Sequence, residues 1–216
     1  MTETKHTPRI YLAGPDVFLA DANELAEAKK AICAEYGLEG VWPLDNTLNL
    51  KGMAPPAAGL AIAQANENLM QECDAIIANL TPWDGPSADV GTAFELGFMR
   101  ALGKPCFAYS NDVHSFEQRM ELYILDHDKG PIVRNERGEK CAANGRMIES
   151  FQLNDNLMLD SAVHMSGGSF CLSSVPAWTS VYYTDLTAFR SAVIACAKKL
   201  GVTQKGKALQ PEAEPA

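Results

Sequence analysis

The sequence predicts an α/β fold, an open parallel sheet of about five strands with helices on both faces. Three observations lead there. Short, largely apolar runs (Arg9 to Ala13, the β-branched Ala75 to Leu80, Lys104 to Tyr109) recur along the chain, the pattern of strands buried on both faces. Segments with apolar residues at helical spacing separate them. One stretch, Asp74 to Pro105, holds strand, loop and helix in succession, the half-unit of a sheet whose ligand crevice lies beyond the carboxyl ends of its strands.

Residues 1 to 8 read as a frayed lead-in. Arg9 to Ala13 is the first strand, and the breaker pair Gly14-Pro15 sets Gly14, Asp16 and Phe18 at the crevice mouth. Asp21 or Asn23 caps a helix that runs to Tyr36, with Leu25, Ala26, Ala28, Ile32 and Cys33 inward and Gly37 as its stop. Glu24, Glu27, Lys29 and Lys30 form its wet face. Gly40 to Pro43 is a short second strand, and Thr47 to Gly59, rich in Pro, Gly and Ala, reads as a loop over the crevice. Leu60 to Cys73 is a helix in which Asn66 shares a face with Ile62, Leu69 and Cys73; an amide there needs a partner.

Ala75 to Leu80 is the third strand, stopped by Thr81-Pro82 and the loop Trp83 to Ala88. Asp89 stands at the N-cap of the next helix, with Val90, Ala93, Phe94, Gly97, Phe98 and Ala101 at helical spacing until Gly103 and Pro105 end it. Lys104 to Tyr109 is the fourth strand. Ser110 to Glu149 has charge of both signs and no clean periodicity, and so long a stretch without regular structure is functional or mobile. Asn156 stands near the start of an amphipathic helix. Ser166 to Tyr183 reads as an insertion ahead of a final strand at Val181 to Tyr183, after which Thr184 caps a last helix, Leu186 to Leu200. Residues 203 to 216, rich in Lys, Gln, Pro and Glu, read as a disordered tail, leaving 9 to 202 as a single domain.

Composition narrows the function. With 216 residues, 47% hydrophobic and 21% charged, the chain has the balance of an ordinary globular domain. A formal charge of −9 argues against a grip on nucleic-acid phosphates, whereas a neutral nucleoside is an acceptable ligand. No apolar run approaches the ~18 residues of a membrane span, and MTETKHTPRI has no signal or transit layout, so a cytoplasmic protein is expected. The six cysteines form no CxxC and have no His at ligand spacing, so they read as reduced thiols rather than a zinc site. Asp126, His127 and Asp128 are adjacent and splay apart, a poor metal site. Neither GxGxxG nor GxxxxGK[ST] is present, so a phosphate-cradling loop is unsupported. Neither metal nor cofactor is expected.

Glu95 is the residue to explain. It lies mid-helix among apolar or small neighbours, so unless it occupies an exposed stripe its carboxylate is in a partly dry site. Gly91 and Gly97 flank it, each costing ~1 kcal/mol relative to Ala, a cost that a close-packed backbone or ligand would offset. A mid-helix Glu is most often a solvated surface residue; the glycines and a second carboxylate, Asp89, favour a site.

Taken together, IYLAGPDVF, CDAIIANL, DVGTAFELG and NDNLML resemble the nucleoside 2-deoxyribosyltransferases, in that family's order, and DVGTAFELG is the most specific of the four. The resemblance implies a flavodoxin-like fold and transfer of 2-deoxyribose between bases through a covalent glutamyl-sugar intermediate, with Glu95 as nucleophile. It implies that Tyr11 holds Glu95 by a hydrogen bond, that Asp89 binds sugar hydroxyls or passes a proton to the base, and that Asn66 orients the base. Phe18, Trp83 and Asp16 are candidates for packing or hydrogen bonding around the base, and Gly14 for close approach of backbone to the ligand. Asn156 would cross to a neighbouring subunit and bind the sugar 5′-hydroxyl, making a homodimer or larger homo-oligomer with shared active sites. Its partners would be 2′-deoxynucleosides and free nucleobases.

A carboxylate beneath the anomeric carbon stabilises positive charge there and can collapse onto it as an ester, the retaining pattern of glycoside chemistry. One rival is a hydrolase of 2′-deoxynucleosides or their 5′-monophosphates; Asp16 at the crevice mouth would repel a phosphate, which favours free nucleosides. A second is a non-catalytic nucleotide-sensing domain on the same fold.

Overall fold

The computed structural model describes residues 6–202 apart from Thr47, Lys129 and Trp178, so the start of the lead-in and the tail expected to be disordered lie outside the described residues. In chain order the elements are β1 (Arg9–Ala13), α1 (Ala22–Glu35), β2 (Glu39–Val41), α2 (Pro55–Glu72) and β3 (Ala75–Asn79). There follow α3 (Val90–Ala101), β4 (Cys106–Ser110), α4 (Phe116–Tyr123), β5 (Ile132–Arg134) and β6 (Lys140–Ala142). The chain closes with α5 (Leu157–Met165), β7 (Phe170–Leu172) and α6 (Thr187–Lys199).

Five strands pair in parallel in the order β2-β1-β3-β4-β7, a flavodoxin-like open sheet. Side chains alternate across it. Ile10, Leu12, Ile77, Phe107 and Tyr109 pack with α1 and α6 on one face, while Tyr11, Ala13, Ile76, Ala78 and Ala108 pack with α2, α3 and α5 on the other. The chain runs outward from β1 to β2 and returns to β3 on the far side of β1, so the strand order reverses at the β1–β3 pair. Open α/β sheets bind ligands beyond the carboxyl ends of the strands at such a switch point, which here lies beyond Ala13 and Asn79. Among the described residues no helix is long and apolar enough to cross a membrane, and all six cysteines are free.

Several expectations need correction. Strand β2 stops at Val41, because Pro43 starts a single 3-10 turn. Helix α2 begins at Pro55 rather than Leu60, absorbing part of the expected loop; proline is preorganised for a first helical turn. Ser110 to Glu149 is not irregular. It contains α4, capped reciprocally by Ser115 and Gln118, and the antiparallel hairpin β5–β6. The fifth sheet strand is Phe170–Leu172, inside the supposed insertion, whereas Val181 to Tyr183 lies in turns. Gly168 permits that pairing, since a Cβ there would lie 1.7 Å from the Cys106 carbonyl oxygen. At the start of α6, Asp185 rather than Thr184 receives the Thr187 amide, at 3.0 Å.

Two helices turn differently from expectation. In α1, Ala28 is exposed and Lys29 is buried. In α3 the core face is Thr92, Leu96 and Met99, while Val90, Phe94, Gly97 and Ala101 face outward.

Candidate active site

β1 and α3 carry the residues of the candidate centre. Tyr11 is the middle residue of β1, its side chain on the α3 face of the sheet and wholly buried. Its hydroxyl donates to Glu95 Oε1 at 2.6 Å. Glu95, on the second turn of α3, is half-buried rather than turned into solvent. Burial pushes its carboxyl up to about 7; the Tyr11 hydrogen bond pulls the other way, and the charge on Asp89 adds to the rise. Burial and the neighbouring Glu95 together hold the Tyr11 hydroxyl protonated, far above the usual phenol range. The raised carboxyl is that of Glu95, the expected nucleophile.

Asp89 is the N-cap of α3. Its Oδ2 accepts from the Thr92 amide at 2.8 Å and the Thr92 hydroxyl at 2.9 Å, which tethers the carboxylate to the first turn. Gly91 follows it closely, since a Cβ there would meet Asp89 Oδ2 at 3.0 Å. Gly97 has open space around it, so nothing among the described residues offsets its helix cost.

Gly14 is where the chain leaves β1, and a Cβ on it would lie 2.8 Å from Asn79 Cβ, so only glycine fits. Asp16, expected at the crevice mouth, is instead fully buried, bound by Lys29 Nζ and Asn79 Nδ2. Lys29 is walled by the rings of Trp42, Tyr109 and Phe189, whose centroids lie 5.3 to 5.4 Å from Nζ. The pair neutralises itself inside the fold, so the Asp16 side chain neither reaches a ligand nor repels a phosphate.

Phe18 and Trp83 lie together, ring centroids 6.2 Å apart, with Phe18 well exposed. Tyr183, missed in the sequence, packs edge-on against Trp83 at 4.9 Å and donates to the Pro82 carbonyl at 2.8 Å. Asn66, half-buried on α2, accepts from Asn46 Nδ2 at 3.0 Å, so its amide has the partner that a buried polar group requires.

Asn156 caps α5, accepting the Met158 amide at 3.1 Å and donating to Glu149 Oε2 at 2.9 Å. It lines an open groove of about 1070 Å³ between α3 and α5, whose walls include Val90, Phe94, Gly97, Met158 and Met165. Val90 is 84% exposed and Met165 72%, so this apolar face is uncovered in the single chain. Glu95 and Tyr11 do not line that groove. Asp126, His127 and Asp128 diverge: His127 stacks on Tyr123, and Asp128 pairs with Arg146 at 2.5 Å. Among the described residues no group of three or more His, Cys, Asp or Glu is disposed to hold a metal ion.

The family model described as nucleoside 2-deoxyribosyltransferase matches residues 10–158. An uncharacterized protein of Schizosaccharomyces pombe is 33% identical over 199 residues, 89% of this chain and 90% of that one. Among solved structures, a 2-desoxiribosyltransferase from Leishmania mexicana superposes with a TM-score of 0.53 at 28% identity, covering 87% of this chain and 97% of its own.

Proposed function

The chain belongs to the nucleoside 2-deoxyribosyltransferase family, and from that premise we propose that it transfers 2-deoxyribose between nucleobases with retention, through an ester of Glu95. The observation that carries the reading is the 2.6 Å hydrogen bond from Tyr11 to Glu95, which aims a half-buried carboxylate from the floor of the sheet. With Oε1 held by Tyr11, Oε2 is the oxygen available to the anomeric carbon. As the Oε2–C1′ bond forms, the C1′–N bond breaks and its electron pair leaves with the base, which takes up a proton. A second base then attacks C1′ and releases Glu95. Transfer outruns hydrolysis only if the incoming base replaces the leaving one before water enters.

Asp89, tethered through Oδ2, keeps Oδ1 for a sugar hydroxyl or for the proton exchanged with the base. Asn66 orients the base, and Phe18 and Trp83 provide aromatic surface around it. Asn156 serves a neighbouring subunit's site in a homo-oligomer. The uncovered apolar groove that it shares with α3 supports this, as does Gly97, which has room for a second backbone.

Because Asp16 is paired with Lys29, charge repulsion no longer argues against a 5′-monophosphate, and a hydrolase of deoxynucleosides or their monophosphates is the second reading. Incubation with 2′-deoxyinosine and adenine separates the two. New deoxyadenosine means transfer, hypoxanthine alone means hydrolysis, and no turnover favours a binding module. Glu95→Ala should abolish turnover; undiminished activity would remove Glu95 from the mechanism.

A further inference from the structure

We propose that Arg119 and Asp155 are positioning residues, a buried ion pair that fixes the loop leading into Asp89 against the helix start that carries Asn156. The proposal rests on the reading of the site given above, and it assigns a role to α4, which supplies Arg119.

Asp155 is wholly buried, and its hydrogen bonds reach both of these segments as well as Arg119. Its Oδ2 accepts the Ala88 amide at 3.1 Å and Arg119 Nη2 at 3.1 Å. Its Oδ1 accepts the Ser87 hydroxyl at 2.5 Å and the Asn156 amide at 2.7 Å. Ala88 is the residue before Asp89. One carboxylate therefore holds the backbone on the threshold of both sugar-binding candidates.

Arg119, itself buried, completes the tie. Nε donates to the Pro86 carbonyl, Nη1 to the His114 carbonyl and Nη2 to the Asn154 carbonyl, each at 2.7 Å. The planar fork of the guanidinium thus spans the loop after β3, the turn before α4 and the turn before α5. A lysine, with one nitrogen, cannot reproduce that span. Stability alone does not account for the arrangement, because a buried ion pair recovers little more than its desolvation and well-packed apolar side chains often serve as well. What apolar residues cannot do is fix the relative position of three segments by directional bonds.

The test uses the full chain and three variants, Arg119→Lys, Asp155→Asn and Ser87→Ala, well below their melting temperatures. Deoxyribosyl transfer from 2′-deoxyinosine to adenine gives kcat and KM, and hydrogen–deuterium exchange follows peptides covering 82–92, 154–160 and the strands β1 and β3. In Arg119→Lys and Asp155→Asn, exchange should rise in 82–92 and 154–160 together and stay unchanged in β1 and β3. The rate should fall about 10²-fold, the cost of displacing aligned groups by about an ångström. If those two variants do not fold, Ser87→Ala, which deletes one hydrogen bond to a carboxylate from a half-buried serine, should lower kcat about tenfold. Loosening of only one segment, or full kcat in variants whose two segments have both loosened, overturns the proposal. An inactive wild-type chain defeats the functional reading and the positioning role with it; an active wild type with fully active variants defeats the positioning role alone.

Discussion

Tyr11 and Glu95, separated by 84 residues in the chain, share a 2.6 Å hydrogen bond in which the phenol donates to the carboxylate. Burial raises the Glu95 pKa to about 7, and the Tyr11 hydrogen bond opposes the rise. Removing the donor should therefore raise that pKa further. In Tyr11→Phe the acidic limb of kcat/KM should move to higher pH, with a loss at pH 7 of about tenfold or more, the worth of a hydrogen bond to a charged group. A pH–rate profile checks this. An unmoved limb would detach Tyr11 from the nucleophile.

The same raised pKa makes a stability prediction. A carboxyl whose folded pKa exceeds its unfolded value binds its proton more tightly in the native state, so its protonated form contributes stability at low pH. That contribution is lost as pH rises from about 4.5 through about 7. Glu95→Gln, which keeps the acceptor for Tyr11 and carries no charge, should raise the melting temperature at pH 8 and do little at pH 4. The gain is about 2 kcal/mol. Calorimetry at the two pH values decides it; equal gains at both would show that the carboxyl is not strained by burial.

The uncovered α3–α5 face predicts association. Phe94→Glu places a charge in the middle of that groove and should shift the protein toward monomer in light scattering and size-exclusion measurements. If Asn156 serves a neighbouring chain, mixing inactive Glu95→Ala with inactive Asn156→Ala should restore activity. In a dimer, random exchange gives about a quarter of the wild-type value. No recovery after verified subunit exchange would place Asn156 within its own chain's site.

Lys29 and Asp16 predict a large folding penalty. Lys29→Met leaves the buried charge of Asp16 without its countercharge, a loss of about 3 to 5 kcal/mol by urea denaturation. Adding Asp16→Asn should recover most of it. A cost below about 1 kcal/mol for the single variant would mean that Lys29 behaves as the surface residue its helix position suggested.

Much of the scaffold was legible. β1, β3 and β4 are apolar except for one end residue each, because a parallel strand is covered on both faces, and such runs stand out in sequence. Asp89 was legible as an N-cap, and its bond to the Thr92 amide follows from that position. α4 carries a signal in its sequence, the Ser115-Phe116-Glu117-Gln118 capping box. Strands β5, β6 and β7 have three residues each, too few to establish a period of two. Val181 to Tyr183 misled because aromatic and β-branched residues favour strands only where a neighbouring strand accepts them.

Sequence by itself determined the α/β alternation, the strand–loop–helix unit and an acid placed mid-helix among small and apolar residues. Those features are written in spacings of two to four residues, where backbone geometry repeats. Tertiary structure alone decided that Tyr11 meets Glu95, that Lys29 turns inward to Asp16, and that the apolar stripe of α3 faces outward. Desolvation and ion pairing depend on which distant segments close over a side chain, and no local spacing encodes that.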